Sequence, residues 1–111
     1  MLSEDLQNKI IEFRDKRNWS QYHTPKNLAI SLSIEANELL EIFQWLDSDE
    51  AVKNYESEIK DELADIIIYF VLMADRLALD IEEIVAKKLK ENSLKYPVEK
   101  SFDSNTKYTE L

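Results

Sequence analysis

Four acidic residues carry the chemistry that the sequence suggests first. Glu35 and Glu38 form one E-x-x-E pair, and Glu62 and Asp65 form an E-x-x-D pair further along. At about 100° per residue, a helix brings Leu28 and Leu46 within roughly 20° of Glu35. Glu35 therefore lies inside an apolar stripe, with Glu38 at its side. Glu62 is flanked in the same way by Ile59 and Ile66, and Asp65 and Tyr69 share its side. An acidic chain scatters E-x-x-E pairs over solvated faces, and that is one reading of these residues. The other is a metal site, because ionised carboxylates on inward faces repel one another and lose solvation unless paired or ligated.

An all-carboxylate ligand set suits a hard ion such as Mg²⁺ or Mn²⁺. Di-iron bundles use Glu-x-x-His pairs, which one histidine, His23, cannot supply. Mg²⁺ commonly links carboxylates to substrate phosphates. Lys88 and Asn92, one turn apart between Ile81, Ile84 and Val85, would offer a cation and an amide to such phosphates. The aromatic residues divide similarly. Trp19 and Trp45 are either half-buried surface tryptophans or stacking platforms for a base. Tyr69 is either core or a hydroxyl at the site, and His23 reads as a local capping or packing residue.

The elements that must position these groups are helical. The 111 residues include no glycine, no cysteine and two prolines. Without glycine there is no Walker loop, dinucleotide fingerprint or nucleophile elbow, and without cysteine no thiolate site. The sequence predicts one all-α domain over residues 1–111, a four-helix bundle with a polar tail at 98–111. Ser3 caps a first helix to about Asn18, with Leu6, Ile10 and Phe13 on its apolar face. Thr24 and Pro25 open a second to about Leu46, with Leu28, Leu32, Leu39 and Phe43 in its stripe and Ala29, Ala36 and Leu40 widening it. A charged break, Asp47 to Lys53, precedes a third helix over about 52–79. Its stripe includes Ile59, Leu63, Ile66, Ile67, Phe70, Ala74 and Leu77. Asp80 and Glu83 make a capping box for a fourth helix to about Leu94, which Pro97 ends.

Ile66 to Ala74 is apolar on every side, so the expected bundle is completed by dimer or tetramer assembly. A formal net charge of −9 argues against nucleic-acid polymers and anionic membranes as partners. The start, MLSEDLQNK, lacks the basic and apolar segments of a secretory leader, so a soluble cytoplasmic protein is expected.

The motif order has a family likeness. Glu35-Ala-Asn-Glu38 followed by Glu62-Leu-Ala-Asp65 resembles the signature of the MazG-like all-α nucleotide pyrophosphohydrolases, nearest their dCTP pyrophosphatase branch. The likeness extends through RNW at 17–19, HTPKNL at 23–28, EIFQW at 41–45, DIIIY at 65–69, KLKEN at 88–92, YP at 96–97 and KYTEL at 107–111. It implies hydrolysis of a deoxynucleoside triphosphate, dCTP or a modified cytosine dNTP favoured, to the monophosphate and pyrophosphate, in nucleotide-pool house-cleaning. Glu35, Glu38, Glu62 and Asp65 would hold Mg²⁺, with Glu38 or Glu35 as general base. Trp19, Trp45 and Tyr69 would line the base and sugar pocket, and Lys88 and Asn92 would contact phosphates. Ile10 stands where the dCTP enzymes have a histidine, which leaves base preference open. The rival readings are a pyrophosphohydrolase for another base and a non-catalytic acidic helical interaction module.

Overall fold

Local capping chemistry starts the helices. In the computed structural model, which describes residues 2–111, α1 spans Glu4–Lys16 and α2 spans Pro25–Ile42. The Ser3 hydroxyl accepts from the Leu6 N–H at 3.1 Å, and the Thr24 hydroxyl accepts from the Asn27 N–H at 3.1 Å. Each satisfies a first-turn donor that has no partner within its helix. Pro25 follows its cap at the position where a missing N–H costs nothing. Between the two helices, Trp19–Tyr22 form a 3-10 turn.

Two expected boundaries differ from the structure. The second helix stops at Ile42, so Trp45 and Leu46 lie beyond it, and the angular argument that aligned Leu46 with Glu35 does not apply. The expected charged break is a helix, α3, Ser48–Asn54. Asp47 caps it, its carboxylate accepting from the Glu50 N–H at 2.9 Å. Tyr55 then leaves helical geometry (φ −129°), and α4 runs Glu56–Arg76. The expected third helix is therefore two helices with a corner at Tyr55. The chain is all-α, with more helices than the four expected.

The chain divides into two compact units, Met1–Leu79 and Asp80–Leu111. In the first, α2 packs most extensively on α4, and α1 and α3 also pack on α4. Its buried apolar residues are Leu28, Ala51, Val71, Leu72 and Ala74. Three of those five lie in the second half of α4, so the core sits beyond the Glu62–Asp65 segment rather than around it. Leu63 and Ile67, expected in the α4 stripe, are 46% and 47% exposed, and Ile68 is exposed as well. Leu77 of that stripe lies past the end of α4 and is exposed; so are Leu40, Ala29 and Ala36 on α2. On α1, Leu6 and Phe13 are exposed, and the buried residue is Arg14. Its guanidinium donates to Asp15 at 2.9 Å and to Asp75 of α4 at 2.7 Å, so an ion pair between a buried guanidinium and an exposed carboxylate ties α1 to α4.

The second unit holds α5, Ile81–Lys95, and α6, Val98–Ser101. Asp80 caps α5 through the Glu83 N–H at 3.0 Å. The segment expected to be a plain polar tail has structure of its own. Tyr108 packs edge-on against Tyr96, and the Lys95 ammonium lies 4.9 Å from the Tyr108 ring centre. Among the described residues, Asn18, Ala78 and Asp103 take left-handed backbone angles (φ 53°, 53° and 61°).

Candidate metal and nucleotide site

The α2–α4 pairing brings the two acidic motifs together. Glu35 projects from α2, and Glu62 and Asp65 project from α4. One carboxylate oxygen from each lies within 4.8 Å of the others. All three side chains are half-buried, and Oε2 of Glu35 and Oε2 of Glu62 are buried without a hydrogen-bond donor. A buried acceptor without a donor is costly, and a proton or a cation relieves that cost. The Glu62 carboxylate next to Glu35, then burial, then Glu38 push the Glu35 carboxyl up from 4.5 to about 7. Glu35 therefore takes up a proton more readily than an ordinary carboxyl. Oxygen-only donors at this spacing also fit a divalent cation, which would replace that proton.

Glu38 does not join the tight trio. It is half-buried one turn along α2, near enough to Glu35 to raise its pKa. It also lines an open cleft of about 590 Å³ together with Glu41, Ile42, Trp45, Leu46, Tyr55, Glu58 and Glu62. That volume falls in the range of small-molecule sites, roughly 300–1,000 Å³. Among the described residues, no lysine or arginine lines the cleft. Trp45 is 85% exposed, its ring free to take a flat partner.

The other expected residues lie elsewhere. Trp19 does not line the cleft; its ring meets Phe13 edge-on at 5.8 Å, and the Arg17 guanidinium lies 3.6 Å from the centre of the Phe13 ring. Tyr69 is half-buried on α4, one turn beyond Asp65, and also stands outside the cleft lining. Lys88 and Asn92 belong to α5 in the second unit, where Lys88 pairs with Glu91 at 3.7 Å. His23 is half-buried with Nδ1 unpartnered, and burial, then the Arg14 charge, hold its pKa down. Four cleft residues had no site role in the sequence reading: Glu41 and Ile42, which lie in the EIFQW segment, and Tyr55 and Glu58. Glu41 and Glu58 each lie one turn from a motif glutamate, and that spacing was a usable signal. Tyr55 had none, because its place depends on the corner before α4.

The α2–α4 pair of this all-α scaffold thus carries a carboxylate trio. The MazG-like family matches residues 30–111. The chain belongs to the MazG-like family. Among curated relatives, dCTP pyrophosphatase 1 of Bos taurus is 37% identical over 113 residues, covering 97% of this chain and 67% of its own length. The Homo sapiens protein of that name is 35% identical, covering 97% and 66%. This chain thus spans about two thirds of the length of those relatives. A crystal structure of a pyrophosphatase from Archaeoglobus fulgidus DSM 4304 is 46% identical and superposes with a TM-score of 0.81, covering 85% of this chain and 91% of its own.

Proposed function

We propose that this protein hydrolyses a deoxynucleoside triphosphate, dCTP or a modified cytosine dNTP favoured, to the monophosphate and pyrophosphate, with Mg²⁺ or Mn²⁺. The observation that carries the reading is the pair of donorless buried oxygens, Glu35 Oε2 and Glu62 Oε2, beside an aromatic-edged cleft with no basic residue. Such a cleft accepts a polyphosphate only together with a cation. The names of the relatives, pyrophosphatases acting on dCTP in the curated cases, support the same reaction.

Glu35, Glu62 and Asp65 would hold the cation, with Glu38 at its cleft side. When bound, a divalent cation offsets phosphate charge and makes a nearby water more acidic. Water adds to the α-phosphorus, the bond from that phosphorus to the α–β bridging oxygen breaks, and pyrophosphate leaves. Glu38 takes the proton of the attacking water. It suits that role better than Glu35, because it faces the cleft and lies outside the trio. Trp45 stacks on the base. For Trp19, Tyr69, Lys88 and Asn92 the support as substrate contacts is the motif likeness alone.

We also propose that copies associate as dimers or tetramers, covering the exposed Leu63, Ile67 and Ile68 of α4 and Ile30 and Ile34 of α2. Cytoplasmic residence, one functional domain over 1–111, and the lack of nucleic-acid or membrane partners belong to the same proposal. The test is pyrophosphate release from a panel of dNTPs. Release with Mg²⁺ and none with EDTA is expected. Absence of release from every dNTP refutes the hydrolase reading and leaves the non-catalytic acidic module.

A further inference from the structure

Two large aromatic side chains stand at the ends of α3, and packing within the chain accounts for neither. Trp45 lies just before the Asp47 cap and Tyr55 just after Asn54, and both line the same cleft. Trp45 is 85% exposed and Tyr55 42%. Other exposed rings have partners: Trp19 meets Phe13, and Tyr108 meets Tyr96 and Lys95. Among the described residues, neither Trp45 nor Tyr55 joins such a pair. The corner at Tyr55 does not call for a ring. Its φ of −129° is open to any residue, and its side chain makes no capping hydrogen bond to α4. The backbone does the joining: the Tyr55 N–H donates to the Ala51 carbonyl at 2.9 Å, and its carbonyl accepts from the Ile59 N–H at 2.9 Å. Those bonds fix the residue in place and leave the ring to the cleft.

The cleft runs along an antiparallel pair of helices. From its carboxylate end, Glu38, Ile42 and Trp45 follow one another along α2 and just past it, and Glu62, Glu58 and Tyr55 do so along α4. Tyr55 precedes Glu62 by seven residues, about 10 Å of helix rise. Both rings therefore mark the end of the cleft away from the carboxylate trio. We propose that Tyr55 is a second stacking residue of this site, covering the face of the base that Trp45 leaves open. This rests on the hydrolase reading above and adds a contact to its substrate site. Stacked rings lie about 3.4 Å apart, the rise of one base step, so a base between two rings takes up about 7 Å. The seven residues of α3 set its ends about 10 Å apart, which accommodates that stack. Ala51, fully buried in the middle of α3, seats that helix on α4 and keeps the separation constant. Every base has a flat face, so such a contact adds affinity without choosing among bases.

The test compares Tyr55→Ala, Tyr55→Leu and Tyr55→Phe with wild type. Calorimetric titration with the four common deoxynucleoside monophosphates in Mg²⁺ gives a reading that needs no turnover, and pyrophosphate release from the triphosphates gives KM and kcat. Tyr55→Ala should weaken each monophosphate that the wild type binds by roughly fivefold or more, and by the same factor for each base. Its KM should rise by a similar factor, with the larger share of the change in KM rather than kcat. Tyr55→Leu keeps apolar bulk without a π face and should lose nearly as much, whereas Tyr55→Phe should bind like wild type. Circular dichroism and melting curves establish that the variants are folded; should the alanine variant not fold, the leucine and phenylalanine pair carries the comparison. Alanine and leucine variants with wild-type Kd and KM, or a phenylalanine variant as weak as they are, overturn the proposal. A loss confined to one base overturns it as well, because it marks Tyr55 as a base reader rather than a stacking wall. If no triphosphate is hydrolysed but the monophosphates bind and weaken as expected, the stacking assignment stands and the hydrolase reading falls. A wild type that neither binds nor hydrolyses any of these nucleotides overturns both.

Discussion

Replacing Glu62 by glutamine should stabilise the metal-free protein while removing its activity. In the wild type, Oε2 of Glu35 and Oε2 of Glu62 are buried without a donor. The amide of the introduced glutamine would supply one, turning a repulsive pair into a charge-assisted hydrogen bond. The Glu62 carboxylate, burial and Glu38 hold the Glu35 carboxyl at about 7, against 4.5 for the ordinary group. The folded state therefore binds this proton more tightly than the unfolded chain. Its contribution to stability is complete below about pH 4.5 and is lost as pH rises through about 7. That shift corresponds to at most about 3 kcal/mol. Because both side chains keep some solvent access, screening reduces the gain from the glutamine to about 1–2 kcal/mol. For a chain of this length that is roughly 4–8 °C in melting temperature. Four melting curves at fixed protein concentration and pH 8, wild type and Glu62→Gln, each with EDTA or Mg²⁺, measure it. In EDTA the variant should melt higher; Mg²⁺, binding the folded form, should raise the wild type and move the variant much less. At pH 5.5, where Glu35 keeps its proton, the EDTA difference should nearly vanish. A variant that melts lower than wild type in EDTA at pH 8, or an equal advantage at both pH values, refutes the reasoning.

The remaining predictions follow from other contacts. Glu38→Ala and Asp65→Ala should each lower turnover by orders of magnitude with helicity and assembly retained; near-normal turnover in either purified variant removes the proposed site. Ile68→Lys, on the exposed side of α4, should shift the particle towards monomer in light scattering, and a wild type already monomeric at micromolar concentration would sink the assembly proposal. Asp75→Ala leaves the buried Arg14 with Asp15 alone and should cost about 2 kcal/mol in denaturant unfolding, less than the roughly 3–5 kcal/mol of a fully abandoned buried charge.

Legibility in the sequence followed the range of the forces involved. Ser3, Thr24–Pro25 and Asp80 marked helix starts because a cap is satisfied within three residues. Asp47 followed by Glu50 was the same signal, hidden inside what looked like a charged break. The end of α2 was unreadable by periodicity, since Phe43 and Leu46 continue the apolar rhythm after the hydrogen-bonded helix has stopped, and both are half-buried. The acidic motifs suggested a four-carboxylate set, of which the α2–α4 pairing brings Glu35, Glu62 and Asp65 together and leaves Glu38 outside the trio. The cleft was different. Trp45, Tyr55 and Glu58 share it only because α3 intervenes between α2 and α4, a tertiary outcome that no local spacing encodes. Arg14 was missed for a similar reason: its burial depends on Asp75, far along the chain.

The left-handed corners at Asn18, Ala78 and Asp103 have a consequence for the other side of the folding equilibrium. A left-handed angle costs a residue with a β-carbon roughly 1–2 kcal/mol, and asparagine and aspartate soften this through local hydrogen bonds that alanine cannot make. Glycine would remove the strain, but it would also widen the denatured ensemble from which the chain must fold, by about 0.5–1 kcal/mol at each position. In a chain without glycine that ensemble is narrowed along its whole length. The backbone therefore has less freedom to surrender than a chain of ordinary composition, which suits a molecule whose first unit keeps only a handful of apolar side chains fully out of water.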